Sequence, residues 1–309
     1  MITVINLNPS VDKRYELEDI IKGEVIRAKS VENTAGGKGI HVANIVNILG
    51  ENVIVTGFLG GTTGDFIKIK LKEMGIRSEF TMISKPTREC LSFMTSDRCQ
   101  TEILEPGPEV NDIELSSFVK LYDKLIETSS IVVASGSIPK NISEDVYKGL
   151  IEKSQSRGKK FLLDTSGNLL KFGIEAKPFL IKPNKEELEI LTGHSIVNEV
   201  DVIKQMDILN KRGIKCVVVS MGSEGSLVNF DGNKYRVQIP KVEAINPVGS
   251  GDSFVGGFAV GLEKGYTIER ILALASACGT ANAMESETGF IKKDLVMELI
   301  SQVKIIKLN

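Results

Sequence analysis

Short apolar runs alternate with longer stretches of helical period along the first two thirds of the chain. The runs at 2–7, 53–58, 131–135, 161–164, 179–182 and 216–220 predict strands. Several are apolar on successive residues, the pattern of strands covered on both faces. Stretches near 40–50, 64–74, 112–128, 143–156, 185–192 and 199–212 predict helices. Ser143 with Asp145 supplies a start signal for one, and Gly213 with Lys215 a stop signal for another. From Gly251 onward the pattern predicts consecutive helices. Such alternation implies an α/β fold: a doubly wound, mainly parallel sheet with helices on both faces.

Two stretches break the pattern. Residues 11–35 are polar and extended, with no helical stripe. Residues 88–104, RECLSFMTSDRCQTEIL, predict a hairpin around Ser96-Asp97-Arg98. Both are expected outside the main sheet as a small β lid on one domain spanning 1–309. A further hairpin is expected from 226–230 and 234–239 around Asp231-Gly232-Asn233. Leu91, Phe93 and Ile103 on such a lid are costly to expose, which predicts a homodimer through it.

Composition narrows the function classes. The 309 residues carry 38 Lys+Arg against 40 Asp+Glu, a net charge of −2 that offers no global field for nucleic acid or an anionic membrane. Four Cys without a C-x-x-C, and two His, are too few for a Cys/His zinc cluster. The cysteines are expected to be packing thiols in a reducing cytoplasm. No apolar run reaches the ~18 residues of a membrane span, and MITVINLNPSVDK is too soon charged for a signal peptide.

The chemistry lies where the 29 glycines cluster. In NPVGSGDSFVGGF (246–258), Gly249-Ser250-Gly251 stands before a predicted helix. Converging backbone N–H groups and the helix dipole there make an anion site. Asp252 follows in the first turn, either as a capping acid or as a general base for an incoming hydroxyl. No dinucleotide fingerprint or Walker A loop is completed. AGGKG (35–39) also opens a helix, as a ligand-approaching turn with a phosphate-pairing Lys38 or as a plain turn. Asn184 and Glu187 could hold a hydrated Mg²⁺ through waters, or form a helix-capping pair. Ser137 and Ser220 also lie at predicted strand ends, while Arg88 alone reads as a solvated charge.

Taken in order, LNPSVD (7–12), AGGKG (35–39), GFLGG (57–61), TREC (87–90), TEILEPGP (101–108), SGSIP (135–139), IKPNKEE (181–187), VSMGSEG (219–225) and NPVGSGDSFVGG (246–257) identify a resemblance. The chain resembles the PfkB (ribokinase-like) sugar kinases, and among them the hexose-phosphate kinases. It is most similar to the tagatose-6-phosphate kinases, with the 1-phosphofructokinases as near neighbours. The resemblance implies transfer of phosphate from Mg·ATP to a ketohexose phosphate, giving a 1,6-bisphosphate. Fructose 1-phosphate, fructose 6-phosphate and a non-catalytic sugar-phosphate regulator stand as alternatives to tagatose 6-phosphate. It assigns Asp12, Gly36 and Gly37 to the sugar, and Arg27, Lys38, Arg88 and Ser137 to the substrate's existing phosphate. Lys182, Asn184, Glu187, Ser220, Gly222, Gly225 and Asn282 fall to the nucleotide and its metal, with Asn282 beside the adenine. Gly249, Ser250, Gly251 and Asp252 fall to the anion hole and base. His41 stands where members usually carry a sugar-contacting Asn, and Pro247 and Ser250 depart from the commoner Ser/Thr and Ala.

Overall fold

A computed structural model describes residues 1–97 and 99–308. Its first half contains β1 (Ile2–Asn6), β2 (Ser10–Glu16), β3 (Ser30–Gly36), α1 (Lys38–Ile48), β4 (Val53–Leu59), α2 (Gly61–Glu73), β5 (Arg77–Ser78) and β6 (Thr81–Met82). There follow β7 (Arg88–Met94), β8 (Gln100–Leu104), α3 (Asp112–Thr128), β9 (Ile131–Ser135), α4 (Val146–Ser156), β10 (Lys160–Asp164) and α5 (Gly167–Gly173). The remainder comprises β11 (Leu180–Ile181), α6 (Lys185–Thr192), α7 (Glu199–Lys211), β12 (Cys216–Ser220), β13 (Ser226–Phe230), β14 (Asn233–Gln238), α8 (Ser250–Glu263), α9 (Ile268–Ala283), α10 (Lys293–Ile300) and β15 (Lys304–Leu308).

The main sheet runs β15-β14-β13-β12-β11-β10-β9-β1-β4-β5, with β6 also paired to β4. Pairing is parallel from β12 across to β5. Two apolar cores cover it. One contains Ile2, Val4 and Val133 with the α1, α8 and α9 side chains. The other contains Ile5, Val132 and Leu163 with Phe118, Leu150 and Met206 from α3, α4 and α7. Strand residues therefore alternate between two buried faces, which is why these strands read as continuous apolar runs. The VGGF segment is a packing device as well as a sequence motif. A Cβ on Gly256 would stand 2.7 Å from Ile45, and one on Gly257 2.9 Å from the Cys278 sulfur. Glycine there lets α8 approach both α1 and α9 closely.

Several expectations need correction. The C-terminal third is not helical to its end: β15 pairs antiparallel with β14. The expected 226–239 hairpin forms, and its strands extend the main sheet antiparallel between β12 and β15. The strand at 179–182 shortens to two residues. Helix α4 starts after Asp145, and neither Ser143 nor Asp145 caps it with a side chain. Cys99 is exposed, so only Cys90, Cys216 and Cys278 are packing thiols.

The lid is a separate four-stranded sheet, β3-β2-β7-β8. Strand β2 pairs antiparallel with β3 and parallel with β7, and β7 pairs antiparallel with β8. Of the predicted turn Ser96-Asp97-Arg98, Arg98 lies outside the described residues. Register carries the chemistry: Ser10 stands beside Gly36 and Arg88, and Asp12 beside Thr34 and Cys90.

Candidate active site

Where the lid sheet meets the carboxyl edge of the main sheet lies a cleft of about 920 Å³, lined by residues from both. Asn8, Asp12, His41, Arg88, Ser137 and Glu287 are among those on its walls. Deeper residues include Lys38, Asp164, Lys182, Gly249, Gly251 and Asp252. A parallel sheet presents its ligand crevice at this edge because successive strand ends and helix starts converge there.

At the cleft, the starts of α1, after Gly37, and α8, after Gly249, like that of the short α5, lack the side-chain caps that close α3, α6, α7 and α9. Gly249 is left-handed (φ 83°), and a Cβ on it would stand 2.8 Å from the Gly289 nitrogen. Glycine is thus required both by the turn and by the close approach. The Ser250 N–H bonds the Pro247 carbonyl, whereas the next N–H groups of the turn have no intrahelical acceptor. They and the dipole favour an anion at the mouth of α8. Asp252, 5% exposed, stands in that first turn.

Two lysines face the same place. Lys182 Nζ is 3.2 Å from Asp164 Oδ1, with both side chains at most a tenth exposed. A Cβ on Gly251 would stand 3.1 Å from that ammonium, so it borders the α8 entrance. The Lys38 ammonium is held above its ordinary range, first by the charge of Asp164 and then, against burial, by Asp252 and Glu187. Asp164 was not singled out in the sequence. Its one local signal is its position at the carboxyl end of a buried strand.

On the lid side, Asp12 accepts from Ser10 Oγ at 2.6 Å. Burial pushes its carboxyl up, offset in part by His41, the Ser10 bond and Arg88. Gly36 lies against it: a Cβ there would stand 2.0 Å from the carboxyl. Arg88 is pinned by the carbonyls of Glu105 (3.0 Å) and Asn8 (3.1 Å). Asn8 Nδ2 donates to Ser137 Oγ at 3.0 Å. Glu287, also missed in the sequence although its motif ETGF is distinctive, is raised by burial and by Glu32.

Other expected site residues fall elsewhere. Arg27 is exposed on the segment between β2 and β3 and does not line the cleft. Asn184 and Glu187 form a capping box at the start of α6, the Glu187 carboxylate accepting from Asn184 N–H (2.9 Å) and Asn184 Oδ1 from Glu187 N–H (2.7 Å). Ser220 pairs with Asn184 in a parallel bridge, and Gly222 and Gly225 follow it at the sheet edge outside the cleft walls. Asn282 is fully buried beside the turn that opens α8. Its Nδ2 donates to Val248 O (2.8 Å), and its Oδ1 accepts from Gly289 N–H (2.8 Å) and Ser253 Oγ (3.1 Å). It braces the α8 entrance. His41, expected at the sugar, lies with Nδ1 3.0 Å from Asp252 Oδ2.

Lysines, uncapped helix starts and a buried carboxylate at one edge of a doubly wound sheet are the groups that phosphoryl transfer uses. The description pfkB family carbohydrate kinase matches residues 2–309, and the chain belongs to that family. It is an ATP-dependent sugar kinase. It is 37% identical to a tagatose-6-phosphate kinase of Staphylococcus epidermidis, over 99% of this chain and 100% of that protein. Phosphofructokinase-2 of Escherichia coli, solved with substrates and products, superposes with a TM-score of 0.91 at 27% identity, covering 98% of each chain. A tetrameric inhibited form of the same E. coli enzyme gives 0.90 at 27%, covering 97% of this chain and 98% of that one.

Proposed function

We propose that the chain phosphorylates the free primary hydroxyl of a ketohexose phosphate, with tagatose 6-phosphate the first candidate and fructose 1-phosphate the second. The observation that carries this is Asp252, a buried carboxylate in the first turn of an uncapped helix, lining the same cleft as Lys38. An acid beside an anion site is a poor phosphate ligand but a suitable acceptor for a hydroxyl proton. Arg88 supports an acceptor that already bears a phosphate, since a neutral sugar offers it no charge. The likeness to the tagatose-6-phosphate kinase favours the first candidate.

In this reading Asp12 grips sugar hydroxyls, and Arg88 with Ser137 holds the existing phosphate. Asp252 takes the proton of the free hydroxyl as its oxygen bonds the γ-phosphorus. The bond from that phosphorus to the β-phosphate oxygen breaks, and ADP leaves with the electron pair. The α8 N–H groups and Lys182 stabilise the charge spread over the transferring group. Lys38, which the resemblance assigns to the existing phosphate, is placed with them here because the charges of Asp164 and Asp252 act on its ammonium. Positioning and electrostatics carry most of the rate.

The donor set fits a hydrated Mg²⁺ carried on the nucleotide. Mg²⁺ ordinarily keeps several waters and needs few protein oxygens. Asn184 and Glu187 would hold it through water, Glu187 keeping one carboxylate oxygen beyond its capping bond. When bound, the ion neutralises phosphate charge.

The reading includes a cytoplasmic homodimer joined through the lid. Supporting it, Ile103 and Val31 are more than half exposed on one face of the lid sheet, although Leu91 and Phe93 on that face are only partly exposed. Exposed Leu104 points the other way and lines the cleft. No described helix is long and apolar enough to cross a membrane.

A coupled ADP-release assay with tagatose 6-phosphate, fructose 1-phosphate, fructose 6-phosphate and the free sugars tests the substrate. We expect kcat/KM to be highest for a ketohexose phosphate. Turnover best with a free sugar, or with none of them, overturns the proposal.

A further inference from the structure

His41 and Asp252 are 211 residues apart in sequence, yet Nδ1 of one stands 3.0 Å from Oδ2 of the other. Both side chains are largely buried. The imidazole has little freedom to leave that position. A Cβ on Gly289 would lie 2.6 to 2.8 Å from His41 Cβ, Cγ and Cδ2, so the Gly289 backbone packs directly on the ring. Gly289 is itself anchored: its carbonyl accepts from Asn44 Nδ2 at 2.9 Å, and its N–H donates to Asn282 Oδ1 at 2.8 Å. Asn282 in turn holds the turn that opens α8. One connected set of contacts therefore fixes the helix that carries Asp252 and the ring that meets it.

We infer that His41 is a positioning residue for the catalytic carboxylate, its Nδ1 fixing one oxygen of Asp252 so that the other is presented to the acceptor hydroxyl. This rests on the reading of Asp252 as the base. A carboxylate free to rotate about χ2 would offer either oxygen, and small misplacements of a reacting group are expensive in rate.

The pair also introduces a titration next to the base. Facing the imidazole are Asp252 from α8, Asp12 from β2 and Glu287 from the segment before Gly289; Lys38, on α1 itself, faces Asp252. Burial works to discharge His41, but the Asp252 hydrogen bond and the surrounding carboxylates outweigh it, and the ring titrates above its ordinary value. Nδ1–H donates to Asp252 whether the ring is charged or neutral, so the contact survives titration. What changes is basicity: an imidazolium draws the carboxylate's charge and weakens it as a proton acceptor. As pH falls through the His41 titration, kcat is expected to fall.

The test measures kcat and KM against pH, from about 5.5 to 9 across the histidine range, for wild type, His41→Asn, His41→Ala and Asp252→Asn. His41→Ala should lower kcat roughly 10- to 100-fold, with the sugar-phosphate KM moving by less than about threefold. His41→Asn can still donate an amide N–H and should recover most of kcat, while losing the wild-type step in the pH profile. If His41→Ala does not fold, the His41→Asn profile alone decides. A retained step in His41→Asn, or wild-type kcat in a folded His41→Ala, overturns the inference. Full activity in Asp252→Asn overturns instead the assignment of the base. An inactive Asp252→Asn beside an indifferent His41→Ala leaves that assignment standing and removes only the role of His41.

Discussion

The ammonium of Lys182 lies 3.2 Å from Asp164 Oδ1, joining the carboxyl ends of two neighbouring strands at the deep end of the cleft. Both partners are nearly buried, so each charge depends mainly on its protein partner. Asp164→Ala should therefore destabilise the fold by about 3 kcal/mol, the lower end for breaking a buried pair because the cleft admits some water. Asp164→Asn, which keeps the shape and an acceptor, should cost less. Urea denaturation of the three proteins decides it, and a variant Ala protein as stable as wild type would refute the account.

Asn282 makes a sharper case, because its expected place beside the adenine and its observed place beneath the anion-hole turn predict different kinetics. Truncation to Ala leaves the Gly289 N–H and the Val248 carbonyl without partners, at about 1–3 kcal/mol for each unsatisfied group. We expect kcat to fall at least tenfold, about 1.4 kcal/mol of barrier, with the KM for ATP within about twofold. A rise in the ATP KM without loss of kcat would return Asn282 to the nucleotide.

Gly249→Ala puts a methyl group 2.8 Å from the Gly289 nitrogen and from Thr288 Cγ2, at a left-handed backbone position. The turn must shift, moving the N–H groups that follow it. A kcat loss of roughly 10²–10³-fold is expected, the size seen when an oxyanion donor is removed. Steady-state kinetics on a variant with native circular dichroism would check it.

The raised His41 titration carries a stability consequence. A group protonated more readily when folded contributes stability that is fully present below its unfolded value, near 6.5. That contribution fades as pH rises through the higher folded value. Wild type should lose stability from mildly acidic to mildly alkaline pH relative to His41→Asn. Parallel denaturation curves at about pH 6 and about pH 8.5 read the difference directly; an identical pH response in the two proteins contradicts it.

Exposed Val31 on β3 and Ile103 on β8 lie on one face of the lid sheet proposed to join two copies. Light scattering at micromolar protein should give the mass of a dimer. Charged replacements, Val31→Asp with Ile103→Asp, should give a folded monomer. A wild-type monomer would remove the lid interface.

Much of the architecture was legible locally. Runs such as 131–135 are apolar at every position because both faces of the sheet are covered, and the 88–104 hairpin announced itself by two β-prone arms. Asn184 and Glu187 illustrate how local geometry dominates: three residues apart, they satisfy each other at the start of α6. Strand β15 was not legible, since five residues of edge strand after a helix depend on pairing with β14, some 70 positions earlier.

By itself the sequence determined the periodicities, the two-sided burial of the strands, the glycine-opened helices and the family, because each depends on residues close together in the chain. Tertiary structure alone decided the partners. It joined Lys182 to Asp164, seated Asn282 under the α8 entrance and brought His41 to Asp252. It also gave part of the glycine excess to helix packing at Gly256 and Gly257, not to phosphate. These contacts span tens to hundreds of residues, and only the closing of the sheet and its helices brings such groups within hydrogen-bond range.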